Sequence, residues 1–206
     1  MIPSKTKHQT MIYILPEAKM KLDAYVGLAK GEISGLGKVI RLKKGTLLIQ
    51  DLFIFDQKCT PSETVLDSSA VADFMTDMIS AGEDPSCVRL WWHSHADMKV
   101  FWSTTDDATI FGFNNEWMLS LVTNFFGDYL CRVDSFQPMQ MTAYDVPLQV
   151  FLEMEAKTLE ILGKEVETKV KHTVPKTKTY AGGNNNGHVP TDGVDIFEVV
   201  EYRRLI

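Results

Sequence analysis

The chain is short of cysteine. Three occur in 206 residues, Cys59, Cys87 and Cys131, and none stand in a CxxC spacing. An odd, scattered set excludes a disulfide framework and a thiolate zinc site, and it suits a reducing compartment. Positive charge is also scarce: 21 Lys and Arg face 27 Asp and Glu, a formal net charge of −6. A surface of that sign argues against nucleic-acid and anionic-membrane partners. Long apolar runs are missing. No stretch approaches the ~18 consecutive apolar residues of a membrane-spanning helix. The first ten residues, MIPSKTKHQT, have no apolar segment behind their lysines, so they do not read as a secretory signal. The cytoplasm is the expected setting. No internal repeat is found.

What remains is ordinary globular material, 45% hydrophobic and 23% charged. The length suits one domain of about 150 residues with an appendage. Strand-like runs cover 11–15, 32–42, 46–56, 64–66, 87–95, 118–124, 129–136 and 140–146. Helical patterns cover 17–30 behind Pro16, with apolar Met20, Leu22, Tyr25, Val26 and Leu28, then 67–81 and 103–113. Residues 57–63, with Pro61, read as a loop. Gly35 and Gly37 inside a strand signal a bulge or a close backbone approach. The pattern predicts an α/β (α+β) fold, a mixed central sheet sandwiched by helices, with 87–95 near its centre. After Pro147, Leu148, Leu152, Leu159, Leu162, Val166 and Val170 recur at helical spacing, giving one long helix or a strand and then a helix. Three parts follow: a domain over 10–147, a helical extension over 148–180, and a flexible linker and tail over 181–206. The tail holds a possible strand at 194–202.

The chemistry concentrates in residues 90–106, LWWHSHADMKVFWSTTD. On a strand, side chains two apart leave the same face, so His93 and His95 can address one ion while Ser94 turns away. Ser103 reads as a helix N-cap, which puts Asp106 at the third helical position in a capping box. From there its carboxylate can reach back towards the strand end. Two histidines and an aspartate are three protein ligands. That count leaves a fourth tetrahedral position for water, the arrangement of a catalytic zinc ion. Such an ion lowers the pKa of its water towards about 7. Ser103 Oγ, beside the ligand, can donate to an oxyanion. A hydrolase also needs a carboxylate base. Trp91 and Trp92 read as core, and Phe101 and Trp102 as core or substrate contacts. Asp97, Asp107 and Glu116 read as surface charges, and the cysteines as small buried side chains.

His-Ser-His, seven residues, serine, two residues and aspartate: this order resembles the JAMM motif, also called MPN-plus or JAB, of zinc metalloproteases. The resemblance spans residues 10 to 146 and implies an MPN-type fold. It implies one zinc ion per chain on His93, His95 and Asp106, with Glu32 as general acid/base and Ser103 as oxyanion stabiliser. It implies a peptidase or isopeptidase acting at the C-terminal tail of ubiquitin or a ubiquitin-like protein. That tail would lie as an added strand in a cleft walled by residues 57–66 and 113–117. Sulfur-carrier, phage or cell-wall peptides are alternative substrates, and a non-catalytic MPN scaffold is an alternative role, although scaffold members usually lack the ligands. Two features depart from the family. Proline commonly follows the second histidine, where this chain has Ala96, and the loop 96–102 has its own sequence. Gly182-Gly183 resembles the diglycine after which such enzymes cut, but its composition reads as linker.

Overall fold

The structure is a computed structural model describing residues 10–60, 63–113, 115–152 and 156–171. The chain divides into two compact units, one ending at Phe151 and one beginning at Leu152. In chain order the first holds β1 (Ile12–Ile14), α1 (Pro16–Leu28), β2 (Ser34–Arg41), β3 (Leu47–Ile54), β4 (Gln57–Thr60), β5 (Glu63–Leu66) and α2 (Ser68–Ser80). It continues with β6 (Val88–Ser94), α3 (Thr104–Phe111), β7 (Trp117–Thr123), β8 (Tyr129–Ser135), β9 (Met141–Ala143) and β10 (Leu148–Val150). The second unit holds α4 (Ala156–Lys169). The expected diglycine, linker and tail strand lie outside the described residues.

Eight strands form one mixed sheet in the order β10-β1-β3-β2-β6-β7-β8-β9. The strand carrying the histidines, β6, pairs antiparallel with β2 and parallel with β7. It therefore sits near the middle, as its sequence predicts. Almost every β6 and β7 side chain is buried, because both faces are covered. On one face Trp92, Leu90, Leu119 and Leu121 pack with Ala18, Leu22 and Val26 of α1. On the other, Leu36, Trp91 and Met118 pack with Met78 of α2 and Ile110 of α3. The fold is thus mixed α+β, a sheet with helices on both faces.

The strand glycines serve both purposes expected of them. A Cβ at Gly35 would lie 2.0 Å from Phe53 O and 2.7 Å from the Trp92 ring. The ladder slips between Gly37 and Lys38 on one side and between Lys38 and Val39 on the other. The Trp92 indole covers Gly35, donates to Leu36 O at 3.1 Å, and stacks on Tyr25 of α1.

Two expectations change, and one open choice is decided. Residues 57–60 form a strand, paired with β5 in a separate two-stranded ribbon. Its QKCT sequence is polar and mostly exposed, so it shows no burial period. Of the two readings left open after Pro147, the strand and then a helix is the one that forms: residues 148–150 are an edge strand parallel to β1, and α4 follows from Ala156. Within α1 the buried residues are Ala18, Leu22 and Val26, whereas Met20 and Leu28 are 71% and 83% exposed.

Candidate metal centre

Strand β6 delivers the histidine pair. Register places His93 opposite Ser34 on β2 and Val122 on β7. His95 follows the strand end, held by its N–H donating to Thr123 O at 2.8 Å. Ser94 turns to the opposite face, where its Oγ accepts from Ile33 N. Both imidazoles are 4% exposed. Helix α3 delivers the carboxylate. Ser103 Oγ accepts from Asp106 N at 3.1 Å, and Asp106 Oδ2 accepts from Ser103 N at 2.7 Å, the reciprocal box expected from sequence. That box aims Asp106 at the histidines.

The two rings meet through their Nε2 atoms, and each Asp106 oxygen faces one ring. His93 Nε2 and His95 Nε2 are 3.1 Å apart. Asp106 Oδ1 is 3.2 Å from His93 Nε2, and Asp106 Oδ2 is 3.8 Å from His95 Nε2. Ligands about 2.0–2.1 Å from one ion in tetrahedral array stand about 3.3 Å from each other. The two ring nitrogens stand close to that value and the carboxylate lies within reach of both, so this buried group can hold a metal ion. Tautomers agree with that use. The Lys99 carbonyl, 3.1 Å from His95 Nδ1, can only accept, so the proton of the neutral ring sits on Nδ1. The Nε2 lone pair is then free for an ion, with the carbonyl orienting the ring from behind.

The charges are strongly perturbed. Burial raises Asp106, but hydrogen bonds from both histidines, Coulombic attraction to His93 and the Ser103 N–H outweigh it and hold the carboxyl far below the usual carboxylate range. Burial lowers His93 and prevails over the raising contacts with Asp106. Burial also lowers His95, yet Asp106, Lys99 O and Glu32 together raise it above an ordinary histidine. The two rings shift oppositely because the Lys99 carbonyl and Glu32 add to Asp106 at His95, whereas burial outweighs Asp106 at His93. A carboxylate held ionised beside two imidazoles suits a cation, whose binding competes with protons for the same atoms.

Glu32 lies in the connection between α1 and β2, two residues before the strand rather than on it. It lines the same cavity of about 280 Å³ as His93, His95, Ser103 and Asp106. Burial raises its carboxyl above the glutamate value, with His95 opposing and Asp106 adding. The structure therefore brings together all five residues singled out from sequence. Glu63 and Thr64 of β5 line the cavity too, as the expected wall at 57–66. None of the described residues of 113–117 does. The loop aromatics divide. Phe101 is 47% exposed, sits edge-on to His95 at 4.6 Å and lines the cavity. Trp102 turns inward over the Arg132 guanidinium. Trp91 is core, yet it also stacks on His93 at 4.5 Å.

Two supports had no signal in the sequence. Gln57 grips the backbone of Ser34, accepting from its N at 2.9 Å and donating to its O at 3.0 Å. Arg132, fully buried on β8, pairs with Asp134 and reaches Asp107 beside the ligand Asp106. Asp107 is thus an anchor of α3 and no mere surface charge. Cys59 is exposed, against the expectation of burial, and Cys131 is buried.

No protein-family model matches the chain, and neither does any curated protein. Among solved structures, protein DSY2949 from Desulfitobacterium hafniense is similar, with a TM-score of 0.52 and 15% identity. The match covers 70% of this chain and 96% of that one. At that identity the likeness concerns the fold alone. No helix among the described residues is long and apolar enough to cross a membrane.

Proposed function

We propose that this chain is a zinc-dependent hydrolase of the JAMM type, with an MPN-type fold, cutting a peptide or isopeptide bond at the C-terminus of a ubiquitin-like protein. One observation carries the reading: a raised glutamate carboxyl and a three-ligand metal group share one open cavity. His93, His95 and Asp106 would hold the ion. When bound, zinc would supply Lewis acidity, acidifying a water molecule and polarising the scissile carbonyl. Glu32 takes the proton from the attacking water and returns it to the leaving amine. A carboxyl raised by burial is better matched to that exchange than an ordinary glutamate. Ser103 Oγ accepts from the helix, so its own O–H is free to donate to the oxygen on which negative charge develops. Phe101, Met98 and Trp91 give the cavity an apolar side that excludes water.

Ubiquitin-like fusions and isopeptide-linked conjugates, incubated with the full chain with and without a chelator, test this. Cleavage is expected with zinc and lost on chelation. Glu32→Gln should bind zinc and cut at least about 100-fold more slowly, the lower end for a general base. Wild-type cleavage by that variant overturns the mechanism. A chain that folds yet takes up no zinc overturns the metal assignment.

A further inference from the structure

The site face of the sheet and the loop beside it hold buried polar atoms that lack a partner among the described residues. Ser34 Oγ, His93 Nδ1, Trp102 Nε1 and Ser120 Oγ are buried and make no hydrogen bond among the described residues. An unpaired buried polar atom is costly, so two within reach of each other call for a connection. Two of the four belong to directly paired residues, Ser34 on β2 and His93 on β6. The neighbouring pair carries the ladder bond, with Ser94 N donating to Ile33 O at 2.8 Å. Ser34 spends its own N and O on the Gln57 amide. Ser34 and His93 are therefore a non-hydrogen-bonded pair. In such pairs Cα atoms stand about 4.5 Å apart and the side chains are closest. Both leave the same face, so a different serine rotamer or one bridging water can join Oγ to Nδ1. Ser120 is opposite Trp91, which puts it diagonal to His93.

We propose that the Ser34 hydroxyl is the hydrogen-bond partner of His93 Nδ1 and a positioning residue of the metal centre. This rests on reading His93, His95 and Asp106 as that centre, and it deepens that reading. An ion needs the Nε2 lone pair, so the ring proton must sit on Nδ1, where Ser34 Oγ accepts it. Without an ion, His93 Nε2–H can donate to Asp106 Oδ1, 3.2 Å away, and Ser34 O–H then donates to Nδ1. A hydroxyl serves both states, and a methyl group serves neither. Lys99 O holds His95 from behind, and Ser34 does the same for His93. Gln57 locks the Ser34 backbone in place for this purpose.

The test compares the wild-type full chain with Ser34→Ala, Ser34→Thr and Ser120→Ala. Ser34→Ala removes one oxygen and leaves the strand intact. Zinc affinity is measured by competition with a chromophoric chelator, and the His93 ring nitrogens are followed by ¹⁵N NMR. Ser34→Ala should bind zinc about 10- to 100-fold more weakly, the usual loss for a group orienting a ligand. Ser34→Thr should recover affinity, and Ser120→Ala should match wild type. The zinc-loaded wild type should show an Nδ1–H at His93 that is perturbed in Ser34→Ala. Wild-type affinity in Ser34→Ala overturns the proposal. If the wild type binds no zinc, the metal reading falls on its own account. The metal-free spectra then decide the contact: an Nδ1 resonance unmoved by Ser34→Ala overturns it, and a moved one supports it.

Discussion

His93 Nε2 and His95 Nε2 face each other across 3.1 Å within one buried group. Two imidazole nitrogens brought that close need a proton or a cation between them and the Asp106 carboxylate. A metal that binds the folded chain alone then stabilises it by about 2.7 kcal/mol at a hundredfold excess over Kd. For a domain of this size that raises Tm by about 5–10 °C. Calorimetry with added zinc should show the rise, and a chelator should reverse it. Asp106→Asn, which removes the charge of one ligand, should blunt it. A Tm indifferent to zinc counts against the site.

Ala96 sits in the left-handed region at φ 49°, and its carbonyl accepts from Phe125 N at 2.8 Å. Proline cannot adopt that φ. The chain path out of the site therefore leaves no room for proline at this position. Ala96→Pro should destabilise by about 3 kcal/mol or more. Ala96→Gly should fall within about 1 kcal/mol of wild type or above it, since glycine relieves the strain at an entropic cost. Urea denaturation of the two variants separates these outcomes, and equal stability would refute the strained turn.

The histidine pair, the Ser103 cap and the strand beneath them were legible because each follows a local rule. Side chains two apart share a strand face, and a capping box spans four residues. What stayed hidden is non-local or lacks a period. Ile12 pairs with Leu148 from the far end of the domain, which no window of sequence reveals. The polar strand 57–60 alternates nothing. Arg132 and Asp107 are 25 residues apart on different elements, and neither carries a local signature. Met20 and Leu28 look like an apolar helix face, yet smaller Ala18 fills the core position instead.

Arg132 is wholly buried among Trp102, Phe111 and Tyr144, with both Asp134 oxygens at 2.8 and 2.9 Å and Asp107 at 2.5 Å. Arg132→Leu leaves the buried Asp134 carboxylate uncompensated and should cost about 3–5 kcal/mol. Pairing it with Asp134→Leu removes both charges, so the double variant should lose less than the sum of the two singles. A double-mutant cycle by chemical denaturation measures this, and strict additivity would argue that the pair is not coupled.

Asp67 caps α2, its Oδ1 accepting from Ser69 N at 2.9 Å and Ala70 N at 3.0 Å. Those backbone bonds, Ala70 first, hold its carboxyl below the ordinary aspartate value. A depressed folded-state pKa contributes stability above the unfolded pKa and loses it as pH falls through the folded value. Asp67→Asn keeps a capping oxygen but cannot titrate. Its stability deficit should therefore be present at pH 7 and shrink as pH drops below about 4. Tm measured across that window checks the sign, and a deficit that grows on acidification would contradict it.

Cys59 is exposed on β4, and burial together with the negative Glu32 raises its thiol above the usual range. Cys131 is 1% exposed, and burial pushes it up to about 12. Alkylation follows the thiolate and its access. The native chain should thus react at Cys59 first, faster as pH rises, and at Cys131 only on unfolding. Glu32→Gln removes the nearby negative charge, lowers the Cys59 pKa and should speed its alkylation at pH 8. Mass spectrometry of partly alkylated protein reads both effects. This measures the position of the proposed catalytic carboxylate without any turnover assay: an unchanged Cys59 rate in Glu32→Gln would put Glu32 too far from β4, and so outside the cavity it is argued to serve.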